Sequence, residues 1–434
     1  MNSISEVVPY HSDFPAKSIR FGSTVLTIVV LLCGSTGPVS GAPPLDFESP
    51  PISYSEAKPE NVITELQSRL DQGELILPYE ERTGYLRGVL KHLDVPESSQ
   101  MLTFLKSSLQ RPLIQPDNAR ALYFGDDCYV GYVPGGKIEL IVPDEKLGMV
   151  FYTLDQNPES PRFERQVASC MTCHASSRTK SIPGLQVRSM LTDPDGQPVL
   201  SAGSFRTDHS TPFEKRWGGW FVSGTHGEAR HRGNFQLPDG KRPQQPPENV
   251  GGLNVTDLSH LTDLSKHLTP HSDLVALMVL EHQIDAHNLM VRTNYAWQID
   301  VHQQREGAAE ARWKEEADQL VRHLLYADEF RIEYPVAGTS SFARDFAMQG
   351  PDDAGRVLRQ LNLRDRLFEL PVSYTVRSRL FTALPFEVRN YVMSQIEHEL
   401  LEKAKRPETG ESFRSDLEQL IKKLPVLILD RQES

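Results

Sequence analysis

The stretch that decides the fold class is LYFGDDCYVGYVPGGKIELIVPDEKLGMVFYTL, at residues 122–154. It contains four short runs of β-branched and aromatic residues, at 122–124, 128–133, 137–142 and 149–154. Runs of this length and composition are typical of β-strands. Pro134, Gly135 and Gly136 separate the second run from the third and favour a tight turn. The segment therefore predicts strands that are joined by at least one hairpin.

Two flanking regions have helical periodicity instead. Upstream, between residues 61 and 110, leucines and valines recur every three or four positions, which predicts two or three helices. These patterns lie at 62–70, 86–93 and 102–109. Downstream, Ser272 is placed to cap a helix that runs to Arg292. Further helices are expected at 306–327, 355–369, 385–405 and 412–423.

A second hairpin is expected after the first group of strands, at 185–205. Its turn is predicted at Asp193-Pro194-Asp195-Gly196, because these residue types favour tight turns. The expected fold class is therefore α+β, with a β-rich region between N-terminal helices and an α-helical C-terminal half.

Composition distinguishes four parts of the chain. We expect a signal peptide at 1–41, a linker at 42–60, helices plus the β-rich region at 61–245, and a mainly α-helical region at 246–434. The linker is rich in Pro, Ser and Glu, a composition that buries little apolar surface. The boundary near residue 245 falls in 236–252, which hold four prolines and three glycines.

The N-terminus has the pattern of an export signal. Lys17 and Arg20 precede an apolar run at 25–33, which is about half of the roughly 20 residues that a membrane-spanning helix needs. Small residues at 39–41 favour cleavage before Ala42. We expect an exported, periplasmic protein with no integral membrane domain after cleavage. The alternative is a leader that is retained as a membrane anchor.

Charge and composition exclude several classes of protein. The chain has 434 residues, 46 basic and 58 acidic side chains, and a formal net charge of −12. Such a chain lacks the excess of Lys and Arg that neutralises phosphates, so no nucleic-acid partner is expected. Its 38% hydrophobic and 24% charged residues are ordinary for a globular protein. Four cysteines are too few for a disulfide framework, so their function depends on their placement.

Two of the cysteines belong to a motif that carries chemistry. The sequence SCMTCHA at 169–175 holds Cys170, Cys173 and His174 in a C-x-x-C-H pattern. This pattern is the attachment signature of a c-type haem. Two thiols at this spacing reach the two vinyl groups of one porphyrin, and the adjacent imidazole can ligate the iron. The expected cofactor is one covalently attached haem c, carried by the β-rich region.

Three alternatives compete for the same residues. A thioredoxin-like redox pair needs a βαβ context, which this region lacks. A zinc site that uses Cys170, Cys173 and His174 needs further ligands. A structural disulfide between the two cysteines is the third alternative. The sequence contains no phosphate-binding loop, dinucleotide fingerprint, zinc-binding H-E-x-x-H or G-x-S-x-G nucleophile motif.

On these residues the chain resembles the c-type cytochromes, and specifically large exported proteins that contain a cytochrome c domain with a single C-x-x-C-H motif. The resemblance covers the motif and the leader. It implies that Cys170 and Cys173 bind haem covalently and that His174 is the proximal iron ligand. The region after Cys173 departs from a compact class I cytochrome, because its pattern predicts hairpins rather than a small helical bundle.

The sixth iron ligand is not part of the motif. His282 is the first candidate, because it lies on an apolar face of the helix expected from Ser272 to Arg292. His226 and Met190 are the second and third candidates. The loop-rich segment also holds His209 and His231. The alternative for His282 is a core histidine that is hydrogen-bonded to backbone or carboxylate.

Two further residues are singled out by their position. Arg178 follows Cys173 by five residues and is the nearest candidate to bind a haem propionate, with a surface charge as the alternative. Cys128 lies in a strand-like run and is interpreted as a buried small hydrophobe. A reactive thiol or an intermolecular disulfide is the alternative for Cys128.

The chain is several times longer than a simple haem carrier needs. We expect an electron-transfer protein and, if it is an enzyme, a haem-dependent oxidoreductase with a small-molecule substrate. Its acidic charge favours a basic redox partner protein. One alternative is a haem-based sensor or ligand-binding protein. Another is a non-haem protein that uses the Cys-Cys-His cluster for zinc or thiol chemistry.

Overall fold

The computed structural model describes residues 45–238, 249, 251–308, 311–350, 357–407 and 410–429, without the side chains of residues 412 and 423–429. The segment Pro44–Ser434 forms one compact unit. The signal peptide expected at 1–41 and the boundary expected near 245 both lie outside the described residues. Among the described helices, none is long and apolar enough to cross a membrane.

A six-stranded antiparallel sheet follows the strand order of the sequence. Its strands are β1 (Met101–Thr103), β2 (Arg120–Phe124), β3 (Tyr129–Tyr132), β4 (Ile138–Asp144), β5 (Gly148–Leu154) and β6 (Phe163–Arg165). The four strands predicted within 122–154 are confirmed as β2 to β5. Gly135, with φ of 82°, lies in the turn between β3 and β4 and adopts the left-handed conformation that glycine tolerates.

The two faces of this sheet contact different parts of the chain, because successive side chains in a strand point to opposite faces. On one face, Tyr152 meets Asn61, the N-cap of the first helix, with 3.0 Å between the amide nitrogen and the hydroxyl. The opposite face carries Phe151, whose cross-strand partner is Ile141. That second face meets the C-x-x-C-H motif, as described below.

Part of the expected linker is anchored to the sheet. Ile52 and Tyr54 are fully buried, and the Tyr54 hydroxyl donates a 2.8 Å hydrogen bond to the Met149 carbonyl. Arg165, at the end of β6, donates to the carbonyl oxygens of Tyr54 and Ala57. These contacts hold residues 52–57 against the β-rich region.

Two smaller sheets complete the strands of the described residues. The predicted second hairpin is confirmed, since β7 (Val187–Met190) pairs antiparallel with β8 (Ser204–Thr207). Gly196, in the predicted turn, has φ of 85°. β9 (Gly224–Thr225) pairs with β10 (Ala337–Gly338) and joins the β-rich part of the chain to the helical part.

Helices dominate both ends of the described chain. They are α1 (Val62–Asp71), α2 (Leu86–His92), α3 (Ala168–His174), α4 (Leu274–His302), α5 (Arg312–Leu324), α6 (Phe342–Met348), α7 (Arg379–Thr382), α8 (Phe386–Lys405) and α9 (Glu411–Leu429). The mixed α+β class is therefore confirmed. The haem-bearing role of the β-rich region stays a prediction.

The long helix α4 begins one residue later than expected. Its N-cap is Asp273, whose Oδ1 accepts from the backbone amides of Val275 and Ala276 at 2.9 and 3.1 Å. The Ser272 hydroxyl instead accepts from the Leu102 amide and donates to the Phe221 carbonyl. Ser272 thus ties the start of α4 to the sheet rather than capping the helix.

Two predicted helices are wrong. The apolar spacing at 102–109 does not form a helix, because Leu102 pairs with Ala121 in the β1–β2 ladder and the Leu105 amide donates to the Gly219 carbonyl. The helix expected at 355–369 is also absent from 358 onward. There the Asn362 side chain accepts from the amides of Arg364 and Asp365, a local turn that competes with a helix.

Candidate functional site

The C-x-x-C-H motif forms a short surface helix, α3, that follows β6 directly. All three motif residues lie on this helix. Cys173 is exposed, whereas Cys170 is half-buried and packs against the core. Both are free thiols in this structure. The two sulfurs are therefore accessible to a reacting partner at the protein surface.

The imidazole of His174 is held in one orientation by backbone. Its Nδ1 lies 2.8 Å from the Gly184 carbonyl oxygen. Because a carbonyl can only accept, Nδ1 carries the proton and Nε2 keeps a lone pair. Burial lowers the pKa of His174, although the bond to Gly184 offsets part of the change, so the ring is neutral near pH 7. A neutral imidazole with this hydrogen bond is the usual form of a metal-ligating histidine.

The second face of the sheet lies beside His174. The Phe151 ring lies 4.8 Å from the His174 ring between centroids. Arg120 and Glu139 form an ion pair on the same face. Gly131 lies between them in β3, and a Cβ there would come within 2.5 Å of the Arg120 guanidinium. The surface next to the motif thus combines an aromatic ring, a compact ion pair and a position without a side chain.

The loop that orients His174 is fixed by α4. The Asn288 side chain accepts from the Leu185 amide at 2.9 Å and donates to the Leu185 carbonyl at 2.7 Å. Arg292 donates to the Lys180 carbonyl seven residues after Cys173. Asn288 therefore holds the residue next to Gly184, and through it the carbonyl that bonds His174.

Two arginines lie near the motif. Arg178 is exposed in a short 3-10 turn, consistent with either interpretation made from the sequence. Arg188 is partly buried, and its pKa is lowered by burial and by the nearby Arg178. The Arg188 guanidinium donates to the Ser204 hydroxyl at 2.6 Å. The motif thus has positive charge on the side of Cys173.

His282 lies in a buried cluster with His209 and His323. The Nδ1 atoms of His209 and His282 are 2.8 Å apart. The His323 ring centroid lies 4.7 Å from that of His282 and 4.3 Å from that of His209. One ring nitrogen of each histidine lies within 4.8 Å of one ring nitrogen of each of the others. The sequence did not predict this grouping, because the residues come from the loop after β8, from α4 and from α5.

Asp285 connects this histidine cluster to the loop after the motif. Its Oδ2 lies 3.7 Å from His323 Nδ1. Its Oδ1 lies 2.7 Å from the Arg206 guanidinium and 3.6 Å from the Lys180 ammonium. Burial raises the pKa of Asp285, but the Lys180 and Arg206 cations lower it more and keep it well below its ordinary value. The carboxylate therefore stays ionised inside the protein.

The other candidates for the sixth iron ligand lie elsewhere. His226 pairs with His231, with 4.7 Å between ring centroids, and its Nε2 accepts from the Asn254 amide. Met190 is buried in β7. Among the described residues, no hydrogen bond or ring contact joins His282, His226 or Met190 to His174. The structure groups Cys170, Cys173, His174 and Arg178, and the sixth ligand stays a prediction.

Comparison with known proteins does not place the chain in a family. No family model matches it, and neither the curated proteins nor the solved structures gave a similar chain. Function is therefore argued from the motif and from the geometry around it.

Proposed function

We propose that this protein is a c-type haem protein that transfers electrons, with one haem bound through Cys170 and Cys173 and ligated by His174. Each thiol would add across one vinyl group to give a thioether. Bound at α3, the haem would supply one-electron redox chemistry. The chain's own contribution is to present the two thiols, to orient the imidazole and to set the polarity around it.

The bond from His174 Nδ1 to the Gly184 carbonyl is the observation that carries this proposal. It fixes the tautomer in which Nε2 is free to ligate, and Leu185, the residue next to the backbone acceptor, is held by Asn288. Second-shell bonds of this kind orient ligating histidines and raise their basicity. A thiol-disulfide pair would not need the adjacent imidazole to be held in this way.

The surroundings of the motif also fit a flat, largely apolar group. Leu122 and Ile141 are only partly buried. Both lie on the same face of the sheet as Phe151, because Ile141 is the cross-strand partner of Phe151 and Leu122 is that of Gly131. Gly131 lets the Arg120 guanidinium lie beside them, and Arg178 offers a cation at the surface. A porphyrin needs this combination of apolar contact and charge for its propionates.

The same proposal includes the compartment and the partner. The leader expected at 1–41 supports export to the periplasm, where covalent haem attachment takes place. The exposure of Cys173 places the motif near the surface, which suits electron exchange with another protein. A net charge of −12 favours a basic redox partner. An oxidoreductase activity on a small-molecule substrate is part of the same proposal.

The test is expression of the whole precursor in a host that exports proteins and attaches haem. A haem stain on a denaturing gel reports covalent attachment, and spectra of the oxidised and reduced protein report the axial ligands. We expect stained protein with a sharp reduced α band. Protein without stain and without a Soret band would overturn the proposal and favour a zinc or thiol site.

Matched cysteine variants sharpen this test. Cys170→Ser and Cys173→Ser should weaken the stain, and His174→Ala should remove proximal ligation. Cys128→Ser is the control, because Cys128 is buried in the sheet region, and burial raises the pKa of its thiol well above the ordinary value. A Cys128→Ser protein that lost the stain would contradict the assignment. Carbon monoxide binding then separates an electron carrier from a sensor, since an open iron site binds the gas.

A further inference from the structure

The buried histidine cluster of His209, His282 and His323 has the properties of a metal site that is distinct from the C-x-x-C-H motif. We propose that these three imidazoles bind one divalent first-row transition-metal ion, with Zn²⁺ as the test ion. The proposal does not rest on haem attachment, because none of the three residues belongs to the motif. It assigns His282 to this site, which leaves His226 or Met190 as the sixth haem ligand.

Separate parts of the fold converge on this point. His209 follows β8, His282 lies in the first third of α4, and His323 lies near the end of α5. All three side chains are buried, with at most 8% of any of these residues exposed. Three imidazoles with mutual nitrogen distances within 4.8 Å are unusual in a core, because each must lose its hydration.

The outward-facing nitrogens of the cluster already have partners. His209 Nε2 lies 3.3 Å from the Ala327 carbonyl, and His323 Nε2 lies 3.0 Å from the His282 carbonyl. Carbonyls can only accept, so these two rings carry their proton on Nε2 and present a lone pair on Nδ1. His282 Nε2 lies 2.7 Å from the Ser373 hydroxyl. Backbone and hydroxyl partners of this type are what orient metal-ligating histidines.

The two Nδ1 atoms that face each other in the cluster carry at most one proton between them. His209 Nδ1 and His282 Nδ1 face each other at 2.8 Å, and His209 Nδ1 has no proton to give. Without metal, this contact requires His282 to carry its proton on Nδ1, with Ser373 donating to Nε2. A metal ion can use the lone pairs of both rings once the His282 proton has moved from Nδ1 to Nε2. The Ser373 hydroxyl can turn to accept from Nε2, so both rings stay neutral and no proton is released.

The charge state of the cluster suits a cation. Burial lowers the pKa of all three histidines, with that of His209 at about 3, so each ring is neutral and able to ligate near pH 7. Asp285 supplies a negative charge 3.7 Å from His323 Nδ1, which it shares with Arg206 and Lys180. Imidazole is a ligand that Zn²⁺, Cu²⁺ and Fe²⁺ accept. The carboxylate beside the three neutral rings compensates part of the double positive charge of such an ion.

The His226–His231 pair shows what a structural histidine pair looks like in this protein. His226 Nε2 accepts from the Asn254 amide and His231 Nδ1 from the Gly233 amide, so a backbone group occupies one nitrogen of each ring. The two rings meet edge to face at 4.7 Å, without a third imidazole. The pair thus provides a matched control for burial and residue type.

Three protein ligands leave at least one coordination position for a solvent molecule or a substrate group. This is the arrangement of catalytic rather than structural zinc sites. The neighbouring Tyr326 ring, 4.6 Å from the His282 ring, and the Ser373 hydroxyl border the cluster. The cluster is enclosed, so we expect the ion to enter during folding.

The first test is the metal content of the full chain, expressed in medium with added Zn²⁺ and dialysed against a weak chelator. Elemental analysis counts zinc, copper and total iron, and a haemochrome assay counts haem iron separately. We expect about one non-haem metal ion per chain, as one three-histidine site implies. A wild-type chain without a stoichiometric non-haem metal would overturn the proposal, whether or not it carries haem.

Variants locate the ion. His209→Ala and His323→Ala should lower the affinity for Zn²⁺ by about tenfold or more, whereas His226→Ala should leave it unchanged. Refolding with Zn²⁺ should raise the Tm of the stripped wild type above that of protein refolded without it, but should not raise the Tm of the two cluster variants. Equal zinc in wild type and cluster variants would place the ion elsewhere and overturn the proposal.

A haem-free variant allows a spectroscopic test that does not depend on the stability of the histidine variants. In Cys170→Ser/Cys173→Ser the cluster is intact, and haem absorption does not mask the visible spectrum. Refolding this protein with Co²⁺ should give the visible d–d bands of a nitrogen-ligated site. A protein that refolds with native circular dichroism but shows no bands would contradict the proposal, and haem attachment in the wild type would be unaffected by that result.

Discussion

The motif helix and the histidine cluster present the same chemistry, imidazole ligation, in opposite ways. In α3 the three chemistry-bearing residues lie within one short sequence motif and near solvent. In the cluster the three histidines are separated by long stretches of chain and are buried. The first arrangement needs little more than a short helix and one loop. The second exists only when several elements are packed, so its properties depend on the tertiary structure.

Removing the motif should have the largest effect and should leave the cluster intact. Cys170→Ser/Cys173→Ser is expected to abolish covalent haem altogether, because no other described cysteine lies in α3. The far-ultraviolet circular dichroism should stay native, since Cys173 is exposed and Cys170 only half-buried. The haem stain and the dichroism spectrum check both statements. Global unfolding of this variant would mean that the two regions are not independent.

Breaking the buried ion pair next to the histidine cluster should have the next largest effect, and this effect is on the stability of the fold. Arg216 lies 2.8 Å from Glu281, and both side chains are buried. Burial raises the pKa of Glu281 to about 7 even with Arg216 beside it. Arg216→Met should lower the free energy of unfolding by about 3–5 kcal/mol, because a buried carboxylate loses its partner. Denaturant unfolding measures the change.

Arg322→Ala is the control for that experiment. Its ion pair with Asp328 is exposed on both sides, so the loss should be at most about 1 kcal/mol. Similar losses for the Arg216 and Arg322 variants would contradict the buried-charge explanation.

A smaller effect is expected where α4 touches the motif loop. Asn288→Ala removes two hydrogen bonds to Leu185 and should cost about 2 kcal/mol, because buried backbone groups lose their partners. It should also shift the haem potential, since the Gly184 carbonyl that orients His174 becomes less fixed. Asn294→Ala, on the same helix, removes a single bond to the Glu145 carbonyl and should leave the potential unchanged. Equal potentials in all three proteins would remove Asn288 from any positioning role.

The smallest effect is the loss of stability as the pH falls. The pKa of His209 is lowered to about 3 by burial and by His323, whereas an unfolded histidine titrates near about 6.5. Below that value the unfolded chain binds a proton that the native chain excludes, so stability falls as the pH falls. Each such histidine contributes about 1.4 kcal/mol per pH unit between its two pKa values.

Metal-free protein tests this slope. The free energy of unfolding, measured from about pH 6 to about pH 5, should fall less steeply in His209→Gln than in the wild type. A His209→Gln slope identical to that of the wild type would show that the ring already titrates normally.

Local patterns predicted the parts of the molecule that local interactions decide. The strands β2 to β5 follow from runs of β-branched and aromatic residues, and Cys170, Cys173 and His174 follow from a contiguous motif. Leu102 was misassigned because leucine spacing alone does not distinguish a helix from a strand that pairs with Ala121. Whether a segment pairs as a strand depends on the strand beside it and not on the spacing of its own leucines.

No sequence pattern predicts the residues that support the site through tertiary contacts. In the sequence His209 and His282 are recognisable only as single histidines, and nothing in the spacing of α5 indicates that His323 lies beside them. Gly184 and Asn288 were not predicted either, since a carbonyl acceptor and its amide support act through geometry that only packing creates.

The order of the strands has a consequence for how the protein is assembled. Each strand from β1 to β6 pairs with its neighbour in sequence, and α3 follows β6 directly. Contacts between near neighbours close quickly because little chain entropy is lost. The histidine cluster closes later, because the His209–His282 contact spans 73 residues and the His282–Ser373 contact spans 91. During synthesis from the N-terminus, the motif helix therefore has its sheet platform before the residues of the cluster have all emerged.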